Sequence, residues 1–160
     1  MVVLAIDPGI TSGYVVLAPG AGDLLPIVTH SWEGKATLRE RARLLLSWLR
    51  KYRITRVAVE DFKIHPMASG SPVAVVITDT IEYIGCIEAV CQLVIPPVQV
   101  HRVQPNKKGR WPKARLDAKF APEHVNVRNI AGQHAHDALV IGLVYLEQAG
   151  LWEVAGGVDL

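Results

Sequence analysis

Long apolar runs are missing from this chain. None approaches the roughly 20 residues that a membrane-spanning helix needs, and no basic segment or small-residue cleavage site accompanies the first apolar stretch. The expectation is a cytoplasmic protein with no membrane partner. Cysteine is nearly absent too: Cys86 and Cys91 stand five apart, a spacing that suits neither a disulfide framework nor a zinc site, so both read as core thiols. Internal repeats and low-complexity tracts are lacking, which excludes solenoids and fibrous classes. With 160 residues the chain is too short for two comfortable domains, and residues 1–160 read as one.

Net charge is also small, at +2, but the basic residues are not evenly spread. Seven lie between Arg39 and Arg56 against one acid, Glu40, and seven more lie between Arg102 and Lys119 against Asp117. Two short segments thus hold fourteen of the seventeen Lys and Arg residues, a pattern that suits a polyanionic partner. The first segment fits a solvated helix face equally well. The second contains QPNKKGRWPK, a Pro- and Gly-broken basic loop carrying Trp111, and Lys107, Lys108, Arg110 and Lys113 are its candidate phosphate contacts.

The apolar pattern sets the element order. Residues 2–7, 13–18 and 26–32 read as three strands joined by Gly/Pro turns. From Leu38 the spacing becomes helical, through Ala42, Leu45, Leu49 and Tyr52, and predicts a helix over 37–52. ITRVAVE is a short buried strand ending on Glu60 and Asp61. A second helix over 75–94 carries two apolar stripes, Ile77, Ile81 and Ile84 on one side and Tyr83, Ile87, Val90 and Val94 on another. PVQVHRV is the fifth strand, the basic loop and a short helix follow, and AGQHAHDALVIGLVYLEQAG closes as a long helix. The fold class is α/β with a mixed sheet.

Four potential metal ligands fall where such a sheet gathers reactive groups. Asp7 ends the first strand and Glu60 ends a central one, and in open α/β sheets sites form beyond the carboxyl ends of strands. His134 and Asp137, three apart, share one face near the start of the last helix. Singly, each is an ordinary turn, strand-end or helix-start residue. Asp61 could replace Glu60, although strand alternation points the two apart, and His136, two residues from His134, cannot join it on one ion.

AIDPGITSGYVVL, VAVEDF and GQHAHDALVIGL, in this order, resemble the RuvC family of Holliday junction resolvases in the RNase H-like superfamily. The resemblance implies a five-stranded mixed sheet flanked by helices. It implies a catalytic tetrad of Asp7, Glu60, His134 and Asp137, two Mg²⁺ or Mn²⁺ ions with no small-molecule cofactor, and two symmetric cuts in a four-way DNA junction. It further implies a homodimer packed through the helix after the second acid, and an aromatic residue shown to DNA from the loop after Glu60, for which Phe62 is the candidate with Lys63 beside it. Many members carry an acid where His134 stands and some carry His, which leaves His134 as a metal ligand or a proton shuttle. A bacterial cell or a phage-infected host is the expected setting. The alternatives are another RNase H-like nuclease, acting on branched DNA or RNA/DNA hybrid, and a DNA-binding module without catalysis.

Overall fold

The computed structural model describes residues 1–19, 24–32, 36–62, 72–104 and 132–151, with side chains over 1–18, 36–62, 78–104 and 133–151. Strands β1 (Val3–Asp7), β2 (Ser12–Pro19) and β3 (Leu24–Trp32) precede helix α1 (Leu38–Lys51) and strand β4 (Arg56–Glu60). Helix α2 (Pro72–Leu93), strand β5 (Gln99–Val103) and helix α3 (Gly132–Gln148) follow. The expected short helix after β5 and the loop bearing Lys107, Lys108, Arg110 and Lys113 lie outside the described residues, as does Lys63.

The sheet is mixed, in the order β3-β2-β1-β4-β5. Four of these strands, β2-β1-β4-β5, carry the described core, and β3 extends the sheet at its edge. β1 pairs antiparallel with β2 and parallel with β4, and β4 pairs parallel with β5. β1 is buried along its whole length because it is central and covered on both faces, which is why its apolar run shows no alternation. Val3, Val15, Leu17 and Ala58 pack under α3, while Leu4, Ile6, Tyr14, Val16, Val57 and Val59 pack under α1 and α2.

Local chemistry sets the ends of α1. Thr37 is its N-cap and closes a capping box with Glu40: the Glu40 N–H donates to Thr37 Oγ1 at 3.3 Å and the Thr37 N–H donates to Glu40 Oε2 at 2.8 Å. Donation from the Thr37 N–H, and from the Thr37 hydroxyl at 2.8 Å, holds the Glu40 carboxyl below its ordinary range. Tyr52 is the C-cap. The expected stripe on this helix needs correction: Leu38 is exposed, and the buried line runs Arg41, Leu45, Leu49.

Helix α2 also differs from expectation. Tyr83, Ile84, Ile87 and Cys91 all enter one core, with Val90 and Val94 packed at its margin, so Ile84 of the first predicted stripe joins the second, while Ile81 is partly buried and the Ile77 side chain lies outside the described residues. The outward residues are Asp79, Glu82, Gly85, Ala89 and Gln92. Both cysteines are free; Cys91 is buried and Cys86 partly so. Burial, with Cys86 and Glu88 nearby, pushes the Cys91 thiol up to about 12. Among the described residues no helix is long and apolar enough to cross a membrane.

Candidate metal centre

The parallel pairing of β1 with β4 aligns Ile6 with Val59, so the next step sets Asp7 and Glu60 side by side at the carboxyl ends of neighbouring strands. Alternation turns both toward the face that α3 covers. Asp61 then points the other way, where it accepts from Gln104 Nε2 and pairs with Arg102 at 3.4 Å. Arg102 is itself shared with Glu88 at 2.8 Å. That network occupies Asp61, and Glu60 is the acid on the Asp7 side of the sheet.

α3 reaches the site because glycine lets it. Gly13 pairs with Asp7 across the β1–β2 ladder, and a Cβ at Gly13 would overlap the backbone carbonyl of His134. About two turns further along, a Cβ at Gly142 would come within 2.5 Å of Leu17 Cδ1 and 2.9 Å of Ala5 Cβ. The helix therefore lies directly on the strands. His134 Nδ1 stands 3.0 Å from Asp7 Oδ2, and His134 Nε2 stands 2.6 Å from Thr11 Oγ1. Asp137, one turn on, accepts from Gln133 Nε2 at 3.2 Å.

Asp7, His134 and Asp137 each offer one ligand atom, and these atoms lie within 4.8 Å of one another. The set fits a divalent cation: two carboxylates suit hard ions, and the imidazole extends the choice toward Mn²⁺. Glu60 stands on the adjacent strand, partly buried and outside this tight group. His136 is not part of it either, as its two-residue offset from His134 requires. Phe62, two residues past Glu60, is exposed.

One residue of consequence escapes sequence reasoning. Arg41, counted above with the basic segment, is 5% exposed. Its Nη2 donates to the Ile10 carbonyl at 2.9 Å, and its guanidinium lies 4.9 Å from the centre of the Tyr83 ring. It thus anchors the Asp7–Ser12 turn one residue before Thr11, which in turn holds His134. The available signal was its place four and eight residues before Leu45 and Leu49, on the buried line of α1.

Neither the family models nor the curated proteins contain a match to this sequence. Solved structures do match. RuvC from Thermus thermophilus in complex with a Holliday junction substrate aligns over 94% of this chain and 96% of its own, with a TM-score of 0.70 and 19% identity. A second Thermus thermophilus RuvC structure aligns over 94% and 97%, with a TM-score of 0.65 and 20% identity. The yeast mitochondrial Holliday junction resolvase Ydc2 aligns over 93% and 81%, with a TM-score of 0.66 and 11% identity. The chain has the RuvC fold. This fold brings Asp7, His134 and Asp137 together at the carboxyl end of β1.

Arg41→Met tests the anchor. Methionine keeps the apolar length of the side chain and removes the donor to Ile10, so the thermal midpoint is expected to stay within a few degrees of the wild-type value. Mn²⁺ affinity, measured by calorimetric titration, is expected to fall roughly 10-fold, as when an outer partner of a ligand is lost. Unchanged Mn²⁺ affinity would show that the turn holds itself.

Proposed function

We propose that this protein is a divalent-metal-dependent endonuclease that resolves four-way DNA junctions by two symmetric cuts. The observation that carries the reading is the Asp7, His134, Asp137 cluster at the carboxyl end of β1 in a chain with the RuvC fold. Asp7, Glu60, His134 and Asp137 would hold two Mg²⁺ or Mn²⁺ ions, which when bound supply an activated water and neutralise charge on the leaving oxygen. Asp7 and Glu60 are fixed by buried strands. Thr11 and Asp7 orient the imidazole from its two nitrogens, and the Pro8–Gly9 turn gives a phosphate backbone room to approach. Phe62, Lys63, Lys107, Lys108, Arg110 and Lys113 would meet the DNA.

Two cuts related by a two-fold axis call for a two-fold protein, and α2 is the proposed interface. Its outward Gly85 has open space where a Cβ would stand, and Ala89 follows one turn later, so a second helix could approach closely there. Wild-type protein is expected to sediment as a dimer at micromolar concentration. Gly85→Arg should sediment as a monomer, while its helix gains about 0.5–1 kcal/mol from the loss of glycine. A dimer that persists in Gly85→Arg would move the interface elsewhere.

Asp7→Asn is expected to bind a labelled four-way junction with wild-type affinity and to leave it uncut in Mg²⁺ or Mn²⁺, because phosphate contacts supply affinity and the carboxylate supplies chemistry. Matched duplex and RNA/DNA hybrid belong in the same gel. Preferential cutting of either by the wild-type protein would replace the junction as substrate.

His134 adds a second test. As a metal ligand it would have to exchange its contact with Asp7 or Thr11 for the ion; as a proton shuttle it would keep both. Wild-type activity is expected to be higher in Mn²⁺ than in Mg²⁺ at equal concentration, and His134→Asp is expected to restore Mg²⁺ use. A metal preference left unchanged by His134→Asp would remove His134 from the ligand set and favour the shuttle.

A further inference from the structure

A groove of about 820 Å³ opens at the opposite end of the sheet from the candidate metal centre. It lies between the carboxyl ends of α1 and α2, beside the starts of β4 and β5, and its floor includes Leu49, Ile54 and Val90. Arg50 and Arg53 stand exposed at its edge, with Arg56 further along. None of the residues lining it is acidic. Arg56 is drawn partly away, since its Nη1 donates to the Thr55 carbonyl at 2.9 Å and its side chain also meets Tyr145. Arg50 and Arg53 are thus the two free cations of the rim among the described residues.

Two further features separate this groove from an ordinary surface hollow. Ile95, beyond the end of α2, is 97% exposed on its rim and leaves apolar surface open there, whereas the exposed Leu93 continues the Gly85 and Ala89 line of α2 given above to the dimer. Arg53 also adopts φ 50°, the left-handed region, directly after the α1 C-cap. Glycine is the usual and less strained choice at that position. An arginine held there against its backbone preference points to a use for its guanidinium.

We propose that this groove docks an acidic peptide segment of a partner protein, its carboxylates on Arg50 and Arg53 and an adjoining apolar side chain on the Leu49, Ile54 and Ile95 surface. Charge complementarity selects an anion, and the apolar floor selects which kind. A DNA duplex presents phosphates and sugars, which leave that floor unfilled; an acidic peptide with a terminal Leu or Phe fills both parts. The groove adjoins the start of β4 whereas Glu60 ends it, so the two sites bind independently.

The probe is a fluorescein-labelled Asp-Glu-Asp-Leu-Phe peptide, followed by anisotropy against the full chain. Saturable binding is expected, weakened at least about 10-fold when Leu and Phe become Ser, and by a similar factor in Arg53→Gly. Because glycine relieves the left-handed backbone, Arg53→Gly is expected to melt no lower than the wild type, which separates lost binding from lost folding. Ile95→Asp, at a solvent-exposed site outside α2, should weaken binding without lowering the melting temperature. Wild-type protein that does not bind the peptide, or an Arg53→Gly protein that binds it equally, overturns the proposal. Displacement of the peptide by a 20-base-pair duplex would make the groove a phosphate site, and a changed sedimentation coefficient in Ile95→Asp would assign it to a second copy of this chain. Either result also overturns the peptide reading.

Discussion

The geometry of the metal centre depends on a side chain that is not there. Gly13 sits opposite Asp7 in the β1–β2 ladder, and the space its Cβ would fill belongs to the carbonyl of His134. One rung of the sheet therefore fixes both a carboxylate and the first turn of the helix that brings the other ligands. That contact is between backbones, so the Asp7 and His134 side chains start from fixed positions when their atoms approach to 3.0 Å. Gly142 repeats the arrangement against Ala5 and Leu17, and together the two glycines set both the height and the direction of α3 over the sheet.

The other face of the sheet supports the same site from beneath. Tyr14 and Tyr83 share a hydrogen bond of 2.6 Å in the core, and Trp48 packs edge-on against Tyr14 with ring centres 5.6 Å apart. Burial pushes both phenols up, Tyr83 further, so both stay protonated and the pair remains a neutral hydrogen bond. Arg41 lies over the Tyr83 ring and uses its donor on Ile10. The turn between β1 and β2 is thereby held from one face by Arg41 and from the other by the Thr11 to His134 contact. Among the described residues no carboxylate partners Arg41, so its desolvation is offset by the carbonyl and the ring alone. A buried cation kept on those terms serves position more than stability.

The sequence made the elements legible because their apolar periods are clear. The helix expected over 37–52 forms over Leu38–Lys51 with Thr37 and Tyr52 as its caps, and the strand ends at Asp7 and Glu60 stand where predicted. Alternation predicted that Glu60 and Asp61 point apart, and the Arg102 and Gln104 contacts of Asp61 lie on the side away from Asp7. Two features were not legible, for different reasons. Arg41 was read by its charge when its position on the buried line decided its role. On α2, residues such as Ile84 and Ile87 fall about 60° apart around the helix axis, close enough for one wide groove to bury both. Helical spacing cannot show how broad the opposing surface is.

The groove was invisible to a residue-by-residue reading because its parts come from two stretches, one around the end of α1 and one around the end of α2, that are distant in sequence. Leu49 and Arg53 close α1, Ile54 leads into β4, and Val90 and Leu93 end α2. β4 is one of the elements that run from them to the candidate metal centre, with α1. Val57, Ala58 and Val59 are fully buried between the two cores, so this strand has no room to shift or tilt when either end is occupied. Arg56 at its start and Glu60 at its end are held at a fixed separation by that packing. A protein bound at the groove would therefore be carried at a constant distance from the site of chemistry, without altering the geometry of the ligands. A rigid strand of this kind suits recruitment, and a regulatory role would need an element with two packings that β4 does not provide.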